Sequence, residues 1–379
     1  MIIKKSVFII IFMLMVVHCS TPPSGWKSRS SLYGSGDSIS GSITRDLSGI
    51  KKGGKSEIRV QLYTGKPLEI ECNKQYEFIT ATGQKKRGTN KFTPDSTGEF
   101  ISSDNQFRLQ KKQYSGRLKI ISQGTTLSYI NYVNIDHYLV SVVGHEMSPS
   151  WPVEALKAQA VVARTYVLKK KLNSVGKNFD IGNDTYDQVY GGMIQNDGNV
   201  TRAVRETVDQ VIMYQGKIAE VFFHSDCGGE TAAASEIWQE DYPYLVRKKC
   251  DFKESPEYKW EVSYNMNDMR KLLGYQNLTG ITVGERSASK RIKDIMLSTG
   301  GTQKKIPVSE FRKQLGVDKV KSSLFGIKKS AEGFTIKGRG YGHGVGLCQW
   351  CAKIMVEKKS QRYNAIISFF FPGTRIEKI

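Results

Sequence analysis

One stretch of the chain, residues 144–168, narrowly limits how the rest can fold. It reads GHEMSPSWPVEALKAQAVVARTYVL. Pro152 suits the first turn of a helix, where a missing N–H costs nothing, and Glu154 follows where the helix dipole favours an anion. The pattern predicts a helix over residues 153–172 that packs against a core. Its apolar residues recur at steps of three and four, as on one buried face: Val153, Leu156, Ala160, Ala163 and Val167.

Two cations and one acid lie close to this predicted helix. Lys157 and Arg164 are seven residues apart, which places them about two turns and ~10.5 Å apart along one face. Glu146 is predicted to lie in a loop between an extended apolar run, residues 127–143, and Pro149. A carboxylate near two cations indicates an acid–base site. The alternatives are that Glu146 pairs with Arg164 or caps the helix, and that both cations pair with acids from other elements.

Five motifs, in a fixed order, carry a resemblance to a known family. Together they cover roughly residues 55–379, and they resemble the SpoIID/LytB family of cell-wall proteins. The best-understood member of that family is a lytic transglycosylase. The motifs are EMSPSWPVEALKAQAVVARTY (146–166), TYDQVYGG (185–192), FFHSDCGGET (222–231), GRGYGHGVGLCQW (338–350) and FFPGT (370–374).

The resemblance implies that Glu146 is the catalytic acid. In a lytic transglycosylase one glutamic acid protonates the glycosidic oxygen. Its carboxylate then removes the proton of the sugar's own C6 hydroxyl, which closes on C1 to give a 1,6-anhydro end. Such an acid must hold its proton near neutral pH, which burial against Met147 and Trp151 would favour and nearby cations would oppose. The motifs also imply a substrate-binding role for six residues: Lys157, Arg164, Gln188, His224, His343 and Gln349.

These features predict an exported peptidoglycan lytic transglycosylase that cleaves between N-acetylmuramic acid and N-acetylglucosamine. The resemblance also implies a preference for strands that lack stem peptides, and a role in sporulation or in wall remodelling at division. One alternative is a non-catalytic, wall-binding enhancer of a cell-wall amidase. Another is a structural lipoprotein that docks on an anionic polymer.

The charge of the chain narrows the class of partner. Lys plus Arg exceed Asp plus Glu by 56 − 36 = 20. This excess gives the protein a positive electrostatic potential. Such a potential attracts three classes of partner: nucleic acid, an anionic membrane surface and an acidic polymer. The sequence contains no zinc-finger spacing, no RNP-like aromatic motif and no long basic helix, so nucleic acid is not expected. The expected partners are glycan strands of peptidoglycan, a membrane and a cell-wall amidase.

The first residues of the chain predict export. Two lysines precede an apolar run, residues 7–17, that is too short to span a bilayer comfortably. Cys19 ends a sequence that resembles a lipoprotein cleavage box, although His18 departs from the small residue typical there. Residues 1–19 are therefore predicted to be a lipoprotein-type signal with lipidation at Cys19. A simple secretory signal and an uncleaved anchor are the alternatives. A lipid anchor would hold the protein at a membrane, facing the cell wall or periplasm.

Beyond the signal the pattern predicts an α+β protein. Residues 20–54 are rich in Ser, Gly, Thr and Pro, and they are predicted to form a flexible linker. Ile58, Val60 and Leu62 alternate with polar residues, and further strand-like runs follow between glycine turns, which predicts a smaller β-rich subdomain over residues 55–126. Residues 127–379 mix strands and helices and are predicted to form a SpoIID-like catalytic domain. Within it, Asn267 is predicted to cap a short helix, and a last helix is expected at residues 349–359.

The cysteines raise a separate question. Cys348 and Cys351 form a C-x-x-C at positions where the resemblance leads us to expect Ser and Gly. With Cys227, Cys250 and the nearby His224 they could make a thiolate zinc site, or they could form disulfide bonds in an oxidising compartment. Either the zinc site or the disulfide bonds would cross-link the C-terminal motif to the central part of the chain. We expect no required cofactor or metal, and zinc at these cysteines is the alternative.

Overall fold

The structure is a computed structural model that describes residues 56–183, 187–194, 198–238 and 240–379. The predicted signal with Cys19 and the predicted linker, residues 20–54, lie outside the described residues. Among the helices that are described, none is both long and apolar enough to cross a membrane.

The first part of the chain forms a nine-stranded sheet in the order β6-β5-β2-β4-β7-β8-β1-β9, with β3 paired to β2. Neighbouring strands are antiparallel except for β9, which is parallel to β1. The predicted alternation is visible at the start of β1, where Ile58 and Val60 are buried and Leu62 is partly buried. The strands are β1 (Glu57–Gly65), β2 (Ile70–Thr80), β3 (Lys85–Phe92), β4 (Gly98–Ser102), β5 (Gln106–Leu109), β6 (Lys112–Ser115), β7 (Arg117–Gln123), β8 (Thr126–Asn134) and β9 (Ile181–Gly182).

Three helices pack beside this sheet: α1 (Ile135–Glu146), α2 (Val153–Leu172) and α3 (Gly198–Glu206). The prediction of a helix over residues 153–172 is confirmed. It is more deeply buried than one stripe would require, because all but one of the residues from 155 to 168 are buried. This helix is therefore the central element of the core, and the sheet and helices share one hydrophobic cluster.

The prediction of an extended run over residues 127–143 is wrong in its second half. The strand β8 ends at Asn134, and α1 begins at the next residue. The Asn134 side chain accepts a hydrogen bond from the backbone N–H of Asp136 at 2.8 Å, which is a typical helix N-cap. An apolar run without polar punctuation does not by itself distinguish a buried strand from a buried helix.

A second hydrophobic cluster lies within residues 260–336. Two three-stranded sheets, β13-β18-β17 and β14-β15-β16, surround it with two short helices. Asn265, and not Asn267, caps the first of these helices, because its side chain accepts from the Asp268 N–H at 2.8 Å. The elements are β13 (Trp260–Asn265), α5 (Met266–Leu273), β14 (Leu278–Val283), β15 (Asp294–Thr299), β16 (Thr302–Pro307), α6 (Val308–Leu315), β17 (Phe325–Lys329) and β18 (Gly333–Gly338).

The C-terminal segment returns to the first cluster. Strand β19 pairs in parallel with β12, so that Leu347 lies opposite Phe223 and Cys348 opposite His224. The predicted last helix, residues 349–359, is confirmed as α7. The remaining elements are β10 (Gln210–Tyr214), β11 (Lys217–Ile218), β12 (Phe223–His224), α4 (Ala234–Ile237), β19 (Leu347–Cys348), α7 (Gln349–Lys359), α8 (Tyr363–Phe370) and β20 (Arg375–Lys378).

The α+β class is confirmed. The division of the chain at residue 127 stays a prediction. Strand β8 is hydrogen-bonded to β1 and β7 and continues directly into α1.

Candidate active site around Glu146

Glu146 is the last residue of α1, and only 4% of it is exposed. The sequence-based prediction had placed it in a loop, and this is wrong because the helix continues to the end of the apolar run. One carboxylate oxygen, Oε1, accepts a hydrogen bond from the Val189 N–H at 3.1 Å. The other, Oε2, accepts from Nε2 of Gln349 at 3.4 Å. The carboxyl group therefore lies where α1, the 187–194 loop and the start of α7 meet.

Burial raises the pKa of Glu146 to about 7, against an ordinary value of 4.5. The hydrogen bonds from Val189 and Gln349 oppose this rise, because they stabilise the carboxylate. The position at the C-terminus of α1 also disfavours an anion, since the helix dipole is negative there. Among the described ion pairs none includes Glu146. A carboxyl group with a pKa near neutral can give up a proton and take one back at the same pH.

Gln188 and its neighbours hold the loop that carries Val189. The Tyr138 hydroxyl donates to Oε1 of Gln188 at 2.9 Å, and Nε2 of Gln188 donates to the Ala163 carbonyl at 3.4 Å. Two residues further on, the Tyr190 hydroxyl donates to the Asn131 side chain at 2.7 Å. The amide of Gln188 thus connects the loop to both α1 and α2, and the Val189 N–H is fixed between two buried anchors.

Lys157 and Arg164, the two predicted substrate cations, are both engaged elsewhere. Lys157 forms ion pairs with Glu154 at 2.7 Å and Glu206 at 2.6 Å. Arg164 is fully buried and donates to the Thr207 carbonyl at 2.6 Å. It also pairs with Asp136 at 3.3 Å. These are the structural pairings that the sequence left open as an alternative. Nearby cations were expected to lower the pKa of Glu146. No cation is among the groups described as shifting that pKa.

His224 and His343 belong to a buried aromatic cluster. Their ring centroids are 5.5 Å apart, and the His343 ring lies 5.2 Å from that of Trp238. Nδ1 of His343 accepts from the Val345 N–H at 3.0 Å, while Nδ1 of His224 is 3.0 Å from the Val345 carbonyl. Burial lowers the pKa of His343 well below its usual range, so the ring is neutral. No hydrogen bond in the described part of the chain joins either histidine to Glu146.

Comparison with known proteins agrees with this arrangement of motifs. The family model SpoIID, described as "Stage II sporulation protein", matches residues 123–214, which contain α1, α2 and the loop of Val189. A second model, "Domain of unknown function (DUF8618)", matches residues 232–346. The protein "Stage II sporulation protein D" of Bacillus subtilis is 26% identical over 273 residues, 66% of this chain and 76% of the relative. An uncharacterized protein of Brachyspira hyodysenteriae is 33% identical over 288 residues, 74% of this chain and 76% of the relative.

The chain belongs to the SpoIID/LytB family. A further relative, "Amidase enhancer" of Bacillus subtilis, is 30% identical over 333 residues. That match covers 73% of this chain but 46% of the relative. The chain therefore spans about half the length of this particular relative.

Two residues near the SpoIID/LytB site, and one buried acid elsewhere, were missed by sequence reasoning. Trp350 follows Gln349, and its ring lies 4.9 Å from that of Trp151 in an edge-on arrangement. Nζ of Lys353 lies 5.0 Å from the Trp350 ring. Glu220, which has no described hydrogen bond or ion pair with Glu146, is a second mostly buried carboxyl group whose pKa is raised, chiefly by burial. Trp350 could have been found from its place in the last motif, whereas nothing in the sequence marks Glu220.

A surface cavity of about 630 Å³ lies elsewhere on the molecule, against β13, β17 and β18. Glu146 is not among its lining residues. Five of the lining side chains are basic: Lys259, Arg286, Lys290, Lys337 and Arg339.

Proposed function

We propose that this protein acts on the cell wall as a peptidoglycan lytic transglycosylase with Glu146 as its catalytic acid and base. One observation carries the proposal. The carboxyl group of Glu146 is buried, has no ion-pair partner among the described residues, and has a pKa of about 7. Membership of the SpoIID/LytB family supports a role on the cell wall, and the net charge of +20 suits an anionic polymer.

The proposed reaction needs a single carboxyl group. The protonated Glu146 donates its proton to the oxygen that links N-acetylmuramic acid to N-acetylglucosamine, and the bond from that oxygen to C1 breaks. The carboxylate then takes the proton of the C6 hydroxyl of the muramic residue while this oxygen bonds to C1. The products are a free hydroxyl on N-acetylglucosamine and a 1,6-anhydro end, and Glu146 is protonated again.

The neighbouring groups suit this one-acid scheme. Glycoside hydrolases usually use a second carboxylate, to activate water or to act as a nucleophile. Asp187 lies two residues before Val189 in the same loop, and its carboxylate is already engaged. It accepts from the Tyr166 hydroxyl at 2.9 Å and pairs with Lys170 at 2.8 Å. Val189 and Gln349 orient the Glu146 carboxyl group and stabilise its anionic form after the first proton transfer.

A second candidate function is that of a non-catalytic wall-binding enhancer of a cell-wall amidase. The 30% identity with the relative named "Amidase enhancer" favours it.

In either case the proposed location is outside the cell, where the protein would be anchored to a membrane through a lipid on Cys19. The preference for strands without stem peptides and the role in sporulation or division are part of the proposal as well.

Digestion of purified glycan strands that lack stem peptides tests the proposal. We expect the wild-type protein to release fragments whose mass corresponds to 1,6-anhydro-muramyl ends. Glu146→Gln should abolish these fragments and still sediment with cell walls. Glu220→Gln is the matched control, because it also removes a mostly buried carboxyl group with a raised pKa. That control should keep its activity.

Two outcomes would contradict the catalytic proposal. Cleavage retained by Glu146→Gln would exclude Glu146 as the acid. Wild-type protein that sediments with glycan, releases no fragments and accelerates an added amidase would establish the enhancer instead.

A further inference from the structure

A second cluster of reactive side chains lies in the core and takes no part in the proposed reaction. It consists of four buried cysteines without a disulfide bond: Cys227, Cys250, Cys348 and Cys351. The sulfurs of Cys227 and Cys351 are 3.6 Å apart. The sulfurs of Cys227, Cys250 and Cys351 all lie within 4.8 Å of one another, and Cys227 forms a second such group with Cys348 and His224.

Residues far apart in the sequence meet here because of two backbone pairings. The parallel bridge between β12 and β19 places Cys348 opposite His224, three residues before Cys227. The N–H of Cys250 donates to the Gly229 carbonyl at 2.9 Å, which brings residue 250 to the same turn. Cys348 is the N-cap of α7, and its sulfur accepts a hydrogen bond from the Cys351 N–H at 3.4 Å. The positive end of a helix dipole stabilises a thiolate at this position.

Arg291 places a buried cation beside the cysteine cluster. Its side chain is fully buried, and none of the described ion pairs includes it. One nitrogen, Nη2, donates to the Cys227 carbonyl at 2.7 Å, while Nε and Nη1 have no hydrogen-bond partner. Four groups favour its charged form, in the order Cys227, Glu236, Asp226 and Cys348, so two carboxylates supply part of the counter-charge. A buried cation is strongly destabilising without a counter-charge. Thiolates would add to the charge of the two carboxylates, whereas disulfides are neutral.

His224 supplies a second unsatisfied group at the same place. Its Nδ1 lies 3.0 Å from the Val345 carbonyl, so Nδ1 is the nitrogen that carries the proton in this contact. The other ring nitrogen, Nε2, is buried and has no hydrogen-bond partner. Histidines at metal centres commonly donate one ring N–H to a backbone carbonyl in this way. Four sulfurs and one free imidazole nitrogen therefore meet in one region of the core.

We propose that Cys227, Cys250, Cys348 and Cys351 bind one Zn²⁺ ion as four thiolates, with His224 at the edge of the site. Four Zn–S bonds of about 2.3 Å in a tetrahedron place the sulfurs about 3.8 Å apart. The 3.6 Å between Cys227 and Cys351 is close to that spacing. Binding releases the four thiol protons to solvent and leaves a centre of net charge about −2, next to the guanidinium of Arg291.

The site would act as a structural cross-link. It joins the turn after β12 to the beginning of α7, and α7 begins with Gln349, which contacts Glu146. Zinc would thereby fix one partner of the candidate catalytic acid without touching substrate. This inference does not depend on the reaction proposed above, because a wall-binding enhancer would need the same cross-link to hold its C-terminal motif.

Metal analysis of the full chain, purified without chelators, tests the proposal. We expect about one zinc ion per wild-type chain. The variants Cys250→Ser and Cys351→Ser should lose it. Cys72→Ser is the matched control, because Cys72 is also a buried free thiol but lies on strand β2. It should keep its zinc. Zinc content in Cys250→Ser and Cys351→Ser equal to that of the control would overturn the assignment.

A measurement on the wild-type chain covers the case in which these variants do not fold. The denatured, alkylated chain should have the mass expected for four free thiols at these positions, and a thiol-specific mercurial should release zinc from the native chain. A mass that shows two disulfides, or a reduced chain without zinc after refolding in its presence, would overturn the proposal. Zinc that is retained by Cys348→Ser but lost from His224→Gln would overturn Cys348 as the fourth ligand.

Discussion

The buried carboxyl group of Glu146 makes a quantitative prediction about the pH dependence of stability. Its pKa is about 7 in the folded protein, against 4.5 for an ordinary glutamate. The difference is about 2.5 pH units, and at about 1.4 kcal/mol per unit it corresponds to about 3–3.5 kcal/mol. The variant Glu146→Gln cannot ionise at this position. The difference in the free energy of unfolding between wild type and this variant therefore measures the cost of ionising Glu146 in the folded protein.

The sign follows from which state binds the proton. Below pH 4.5 the carboxyl group is protonated in both the folded and the unfolded chain, and ionisation costs nothing. As the pH rises from 4.5 towards 7, the unfolded chain ionises while the folded chain does not, so wild type loses stability relative to Glu146→Gln. The loss should reach about 3 kcal/mol near pH 8 and then level off.

Urea denaturation of both proteins at several pH values between 4.5 and 8 measures the free energy of unfolding directly. Glu206→Gln is a suitable control. Its partners Arg202 and Lys157 lower the pKa of Glu206 to about 2, so this carboxyl group is ionised in both states above about pH 6. The control difference should be constant there. A constant difference for Glu146→Gln across the same range, or one of opposite slope, would refute the buried, unpaired carboxyl group.

Two further predictions follow from matched pairs of substitutions, each measured as a loss in the free energy of unfolding. Arg164→Met should cost about 3–5 kcal/mol, because it leaves buried carbonyls and a carboxylate without their donor. Lys157→Met should cost about 1 kcal/mol. Equal losses for the two variants would contradict the different roles of these two cations. Gly346 and Gly124 have φ of +72° and +63°. A Cβ at Gly346 would overlap the Phe222 carbonyl, while Gly124 faces open space. Gly346→Ala should therefore cost about 1–3 kcal/mol more than Gly124→Ala, and similar losses would argue against this close packing.

Much of the local structure could be predicted from the sequence. The helices over residues 153–172 and 349–359 were predicted with their observed ends, because caps, charges and apolar spacing all act within a few residues. Strand β1 shows the expected alternation, with Ile58 and Val60 buried between less buried neighbours. The exception is α1, whose apolar sequence suits a buried strand as well as a buried helix. There, the cap at Asn134 decides where the strand ends.

The site was predictable only in part. The motifs pointed to Glu146 and Gln349, and the structure brings these two residues into contact. Spacing along α2 suggested that Lys157 and Arg164 act together near Glu146. In the structure Lys157 pairs with acids of α2 and α3, and Arg164 pairs with an acid of α1. Neither cation pairs with Glu146. A helical face specifies which residues lie in line, but not which element packs against that face.

The sequence by itself therefore determined the helices over residues 153–172 and 349–359, and which residues are candidates for chemistry. The tertiary structure decided the protonation behaviour of Glu146 and the meeting of four cysteines. The two partners of Glu146 are 43 and 203 residues away along the chain. The pKa of a carboxyl group depends on the water and the charges removed from around it. Residues that distant are brought there only by the packing of the whole fold.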